Sequence, residues 1–382
     1  MYEIIIIGGG MSGISVGHFF RDHSIQILER GELLSGASGN NAGFIVSGFG
    51  EHFARTADRW GVKRACEIQN IHLNNHRRIR DLAGGLNCDY QSTGSLSVAL
   101  DEKEEMDLRK SCELLRSQGY PVEWMEQPPV GLAACRGAVF NPADASMDAV
   151  SFWSRLAADL PIVSRCEVLE VKEQGGVQVV STNRGTYEAA KVIFCLNAFA
   201  ANLVPELSGR YIPLRGQMLE LPLRQPPPSF CPILTGYGDI YWRFRGKSLL
   251  FGGLESLATE EEVGVATHAS QRITDLQLEW IRSNFCSELF ENYVPARTWC
   301  STMAFTVDGF PFVGPLPRKN QYVLSGLCGL GHGYAMECAS WLFDLITKER
   351  DVIPSTISSV RIGSLPVFTG GNWRKLYEAW NH

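Results

Sequence analysis

Ile4-Ile5-Ile6-Ile7-Gly8-Gly9-Gly10-Met11-Ser12-Gly13 is the stretch on which the fold turns. Four β-branched residues in a row predict a strand buried on both faces of a parallel sheet. The run stops at a GxGxxG set made by Gly8, Gly10 and Gly13. A helical pattern follows through Ile14, Val16, Gly17 and Phe20, and a second short strand from 25 to 28 ends in Glu29. Each piece has a physical job. Gly8 allows the tight strand-to-helix turn, Gly10 admits a pyrophosphate close to the backbone, and Gly13 lets helix and strand pack closely. The helix start, with Met11 and Ser12, offers unpaired N–H groups and a partial positive charge to phosphates. Glu29 falls about 20 residues beyond the first glycine, where an acid accepts hydrogen bonds from an adenosine ribose. Strand, glycines, helix, strand and acid in that order predict a dinucleotide-binding βαβ unit.

The rest of the chain must supply a second domain. Its 382 residues exceed one ordinary core, and 45% hydrophobic with 20% charged residues is the composition of a globular protein. The net charge of −6 argues against a polyanionic partner such as nucleic acid. No apolar run reaches the length of a membrane span, and Met-Tyr-Glu passes straight into a strand without a signal-peptide pattern. Eleven cysteines, an odd number without any CxxC pair, suggest reduced thiols and a cytoplasmic protein.

The GxGxxG set leaves FAD and NAD open. Beyond Glu29 and Arg30, the small polar loop Gly36-Ala37-Ser38-Gly39-Asn40-Asn41-Ala42-Gly43, followed by Phe44, resembles the loop of the D-amino-acid-oxidase superfamily of flavoproteins. In that superfamily the GAS-type stretch meets the pyrophosphate, and the next small residues pass beside the isoalloxazine ring. Val192 to Phe199 looks like the family's second strand and turn, and Asn197-Ala198-Phe199 is close to the "NAY" of gamma-glutamylputrescine oxidase-like members. Thr306-Val307-Asp308-Gly309-Phe310-Pro311-Phe312-Val313-Gly314 matches T-x-D-G-x-P-x-[IV]-G. Gly326 to Gly333 then leads into a helix pattern from Tyr334 to Ile346. In the family, this last loop covers the pyrimidine side of the flavin. The matches run in family order over nearly the whole chain.

The resemblance implies an α/β fold, a Rossmann-like FAD domain from residues 1–85, 145–215 and 298–355, interleaved with an α+β substrate domain. That second domain, an antiparallel sheet, would come from 86–144 and 216–297, and 356–382 would be a C-terminal tail. The charged segment from Asp101 to Gln118 predicts a helix with Leu108, Leu114 and Leu115 as its buried stripe. FAD would be bound non-covalently, because neither Cys300 nor Cys328 sits in a match to the covalent attachment of sarcosine-oxidase relatives. Its binding residues would be Gly8, Gly10, Met11, Ser12, Gly13, Glu29, Arg30, Gly36, Ala37, Ser38, Asn41, Ala42, Gly43, Phe44, Val168, Asn197, Gly329, Leu330, Gly331, His332 and Gly333.

The same resemblance implies that a small-molecule amine or amino acid loses hydride from the carbon beside nitrogen, giving an imine that water hydrolyses. Relatives acting on simple α-amino acids often hold the carboxylate with the Arg of "RPxTxDG"; here Met303 stands in that place. That departure fits a reacting carbon not adjacent to a carboxylate, or a carboxylate held from elsewhere. Tyr241 and Arg243 lie on a strand of the expected substrate domain, and alternation puts Arg243 and Arg245 on one face, as an anchor or as solvated charges. Arg215, in Pro-Leu-Arg-Gly-Gln, either joins the domains or meets substrate. His52 is either a substrate-side group or an ordinary loop histidine, whereas His332, among glycines, is expected beside the cofactor. His72 and His76 are spaced for a metal pair, but with no third ligand in view a solvated helix face is expected, and no metal site. Two other readings stay open. One is an oxidoreductase modifying a tRNA wobble-uridine side chain, whose "ASGN" loop resembles Ala37-Ser38-Gly39-Asn40. The other is the flavin subunit of a hetero-oligomeric amino-acid dehydrogenase.

Overall fold

The computed structural model describes residues 1–265 and 268–368, without the side chains of 260 and 261. The strand Tyr2–Ile7 lies inside an eight-stranded sheet, between parallel neighbours Gly185–Phe194 and Ile25–Leu28. Ile4, Ile5, Ile6 and Ile7 are all buried, which explains why this run carries no polar alternation. Ile162–Val163 extends the sheet beyond Ile25–Leu28, and on the other side come Gln321–Ser325 and then Phe312–Pro315. A hairpin, Val168–Gln174 and Val177–Thr182, pairs antiparallel onto Gly185–Phe194.

Helix Met11–Phe19 packs on Gly331–Lys348, and Val62–Ala83 packs on the same late helix. The face of Val62–Ala83 expected in solvent is buried: His72 is 0% and His76 4% exposed. The physical reason is the wall they meet. His72 packs edge-on against Tyr334 at 4.3 Å, and His76 lies 3.7 Å from the Asp144 carboxylate. Asn75 between them accepts from the N–H groups of Met336 and Glu337 at 2.8 and 2.9 Å and donates to the His332 carbonyl. Among the described residues no cluster of His, Cys, Asp or Glu has the arrangement of a metal site.

The second sheet also has eight strands, in the order Arg297–Thr306, Tyr211–Pro222, Ser248–Gly253, Ile240–Arg245, Ile233–Thr235, Ser95–Val98, Ala138–Asn141, Glu123–Met125. All its pairings are antiparallel except Ile233–Thr235 with Ser95–Val98. Helix Gln271–Asn284 covers it, and Trp242, Phe251, Trp280 and Phe285 interlock there. Two of the expected boundaries cut through this sheet. Arg297–Thr306 pairs along its length with Tyr211–Pro222, although the resemblance implies that 298–306 and 211–215 belong to the nucleotide domain. The T-x-D-G signature marks the end of that strand, and the pairing that precedes it leaves no mark in sequence. The helix expected from Asp101 is Glu102–Ser117, capped by Asp101 accepting from the Glu104 N–H at 2.8 Å; Leu108 and Leu115 are buried and Leu114 half-buried. No helix among the described residues is long and apolar enough to cross a membrane. Of the expected tail, 369–382 lies outside the described residues.

Candidate active site

A cavity of about 730 Å³ runs between the two sheets, from the glycine turn to the strands Tyr211–Pro222, Ile240–Arg245 and Arg297–Thr306. At its nucleotide end the backbone is packed to the limit. A Cβ on Gly8, whose φ is +110°, would stand 2.3 Å from the Cys195 carbonyl oxygen. One on Gly13 would stand 1.9 Å from the Gly8 carbonyl oxygen, so Gly13 serves close packing and does not itself line the cavity. The Met11 N–H donates to Ser38 Oγ at 2.8 Å, which ties the helix start to the small-residue loop. Glu29 accepts from the N–H groups of Gly9 and Gly31 at 2.6 and 2.7 Å and lines the cavity, while the Arg30 guanidinium lies 4.4 Å over the Phe199 ring.

The loop after Gly36 holds its own shape. Asn41 donates to the carbonyls of Ala37 and Ser38 at 3.0 and 2.8 Å and accepts from the Gly43 N–H at 2.8 Å. Phe44–Ile45 then pairs with Ala145–Ser146. Gly36, Ala37, Ser38, Asn41, Ala42, Gly43 and Phe44 all line the cavity, as do Gly8, Gly10, Met11, Ser12, Val168 and Asn197.

Asn197 couples the two sheets at this point. Its side chain donates to the Thr302 carbonyl at 2.7 Å and accepts from the Ala304 N–H at 2.9 Å, and its own carbonyl accepts from Ser325 Oγ at 2.9 Å. Its φ of +50° is a conformation that asparagine tolerates better than most residues. Replacing Asn197 with Ala removes both side-chain bonds and leaves a strained backbone, at an expected cost of about 2–4 kcal/mol. Urea unfolding followed by circular dichroism measures it, and an unchanged midpoint would refute the bridging role.

Gly329, Leu330, Gly331, His332 and Gly333 form the far wall at the start of helix Gly331–Lys348. His332 is not a free acid or base. Its Nε2 accepts from Trp153 Nε1 at 3.0 Å, so Nδ1 carries the proton and donates to the Phe44 carbonyl at 2.9 Å. Burial pushes its pKa down to about 4, and the neutral ring is a strut between the Phe44 backbone and helix Gly331–Lys348.

Two expected substrate-side residues lie elsewhere. His52 does not line the cavity: it precedes helix Phe53–Trp60, stacks on Tyr237 at 4.6 Å and reaches Glu104 Oε1 at 3.2 Å. Arg243 is neither a solvated charge nor a cavity anchor. It is 4% exposed behind Gly43 and donates to the Met147 carbonyl at 3.0 Å, while Arg245, on the surface, pairs with Asp148. Burial lowers the Arg243 pKa to about 10, still far above neutral. Tyr241 and Met303 do line the cavity, and they share that end with Arg215, Asp239, Glu255 and Glu262. Sequence reasoning missed the three acids, which sit in connections at strand ends and belong to no motif.

A dinucleotide turn, a small-residue loop and a late glycine loop converging on one cavity define a nucleotide-dependent oxidoreductase fold. The chain matches the profile of DAO, FAD dependent oxidoreductase, over residues 3–345, and it belongs to that family. It is 24% identical over 380 residues to the glycine oxidase of Geobacillus kaustophilus, covering 90% of this chain and 95% of that enzyme. The crystal structure of glycine oxidase from Geobacillus kaustophilus superposes with a TM-score of 0.78 at 21% identity, over 94% of this chain and 98% of that one. The L-amino acid deaminase of Proteus vulgaris, with its specific insertion deleted, gives a TM-score of 0.75 at 18% identity, over 94% of both chains.

Proposed function

We propose that this chain oxidises the C–N bond of an amine or amino acid, with FAD held non-covalently along the cavity. The observation that carries the reading is the continuity of one cavity from the glycine turn to Tyr241 and Met303 in the second sheet. The residues present fit a dinucleotide: Gly10 leaves space beside the helix start, where a Cβ would come within 2.9 Å of Ser38 Oγ. The start of helix Met11–Phe19, where Gly10, Met11 and Ser12 line the cavity, would face the phosphates, and Glu29, with Arg30 beside it, would meet the adenosine ribose. The loop from Ala42 to Phe44 and the wall from Gly329 to Gly333 would flank the flavin ring. Bound there, FAD supplies the acceptor for the hydride leaving the carbon next to nitrogen.

The protein's own contribution is binding, orientation and exclusion of water. His332, fixed by Trp153 and the Phe44 carbonyl, holds the two walls at a set separation. Cys328 is kept from nucleophilic attachment. Burial pushes its pKa up to about 11, and its sulfur is engaged with Thr306 and the Gly326 carbonyl. Purified protein is expected to show the twin visible bands of oxidised flavin and to release FAD on denaturation. Anaerobic addition of an amine and amino-acid panel should bleach those bands. Bands that persist with every compound would remove the proposed reaction while leaving the fold intact.

A further inference from the structure

The end of the cavity away from the glycine turn is acidic in a particular way. Asp239 precedes strand Ile240–Arg245, and Glu255 follows strand Ser248–Gly253 after Leu254, whose φ is +71°. These strands pair with Ile240 opposite Gly253, so the pairing brings Asp239 and Glu255 side by side from 16 residues apart. The Leu254 N–H donates to the Asp239 carbonyl at 3.1 Å, closing the turn. Ser256 Oγ donates to Asp239 Oδ2 at 2.6 Å, and the Gln217 N–H donates to Glu255 Oε1 at 3.2 Å. Both acids line the cavity.

Their surroundings do not balance their charge. A Cβ on Gly216 would lie 2.8 Å from Met303 Cε and 3.8 Å from Glu255 Oε1, so an apolar thioether closes the same corner. Arg215, which also lines the cavity, is engaged by Glu262 at 3.6 Å and by the His268 carbonyl at 3.2 Å, and Arg55 lies over the Tyr237 ring. Among the described residues no Lys or Arg forms an ion pair with Asp239 or Glu255. Burial and mutual repulsion raise the pKa of Glu255 well above the usual carboxylate range, and burial raises that of Asp239. A second feature points the same way. Tyr241 is half-buried and lines the cavity, and among the described residues its hydroxyl has no hydrogen-bond partner. A polar group on a cavity wall with no partner in the protein is open to a ligand.

We propose that Asp239 and Glu255, with Tyr241, form a subsite for a cationic group, so that the substrate is an aliphatic amine bearing a second ammonium. An α-carboxylate brought to this corner would meet two acids and Met303, whereas an ammonium offsets one of the two negative charges and offers three donors to the two acids and the Tyr241 oxygen. The reacting amine and the recognised amine are then different groups of one molecule. Met303 covers the methylene stem between them. The inference rests on assigning this cavity as the amine site.

Cadaverine against pentylamine isolates the second charge at equal chain length, with glycine and alanine as the α-carboxylate arm. With the FAD-loaded enzyme, cadaverine is expected to reduce the flavin anaerobically at a lower KM than pentylamine, by roughly 30-fold or more, and glycine to be poor. Glu255→Gln should raise the cadaverine KM by roughly 10-fold or more and leave pentylamine within about 3-fold, because only the former loses a charge partner. Asp239→Asn repeats the test should Glu255→Gln lose its flavin. Equal KM values for the two amines, or glycine preferred with Glu255→Gln indifferent, would overturn the proposal. If no compound reduces the flavin, the proposed reaction fails, and equilibrium titration decides the subsite separately. A perturbation of the visible spectrum by cadaverine that weakens in Glu255→Gln supports it, and no perturbation overturns it.

Discussion

Lowering the pH from 7 towards 5 is expected to destabilise the protein well before its ordinary carboxylates titrate. His72 and His76 have pKa values pushed down to about 3, and His332 to about 4, in each case chiefly by burial. An unfolded histidine takes its proton near pH 6.5, so below that pH the unfolded chain binds protons that the native state refuses. Their stabilising contribution is complete above pH 6.5 and is lost as pH falls towards the folded values. Each histidine contributes a slope of up to about 1.4 kcal/mol per pH unit, so the three together approach about 4 kcal/mol per unit. Asp144 works the other way. Burial raises its pKa to about 6, so the native state takes its proton first and recovers about 1.4 kcal/mol per unit below that pH. Asp239 and Glu255, raised in the same direction, offset a further part. For His332 the cost has a visible origin, since a proton on Nε2 would face the Trp153 N–H. Thermal melts from pH 7.5 to 5 test this balance. The melting temperature should fall steadily below pH 6.5, and His72→Gln should flatten the slope by up to one proton. A flat profile, or the same slope in the variant, would contradict it.

Gly13→Ala is expected to yield protein without flavin. The new Cβ would stand 1.9 Å from the Gly8 carbonyl oxygen and 3.0 Å from its carbon, both backbone atoms of the turn itself. Neither can rotate away, so helix Met11–Phe19 must move off strand Tyr2–Ile7 and carry its N–H groups out of position. Overpacking of this kind costs roughly 1–3 kcal/mol in stability, and the displaced cradle costs the ligand as well. Gly363→Ala is the control, because a Cβ there meets nothing within 4 Å and Gly363 does not line the cavity. The ratio of flavin to protein absorbance after purification distinguishes the two. Normal flavin content in Gly13→Ala would refute the packing argument.

What could be read from sequence follows how local each signal is. The glycine turn, its strand and Glu29 are contiguous, and each residue type is dictated by a local steric demand. Gly36 to Gly43 and Gly329 to Gly333 were legible for the same reason. His52 misled because proximity in sequence to the loop says nothing about direction. The start of helix Phe53–Trp60 turns its ring towards Glu104. Arg243 misled because strand alternation tells which residues share a face, while what covers that face comes from Gly43 and Met147, the latter 96 residues earlier in the chain. His72 and His76 read as a polar helix face, and only the packing of Tyr334 and Asp144 shows them enclosed. Asp239 and Glu255 meet through strand pairing alone, so no motif announces them.

The path of the chain through the first sheet has a consequence for how the protein is made. Tyr2–Ile7 and its glycine turn leave the ribosome more than 300 residues ahead of Gln321–Ser325 and helix Gly331–Lys348, which extend the sheet and wall the cavity. Over that interval the nascent chain presents an apolar strand and a half-built cradle, a state that favours chaperone attention over ligand capture. Loading of the cofactor becomes a checkpoint on that later segment: colour in the purified protein reports that helix Gly331–Lys348 has docked.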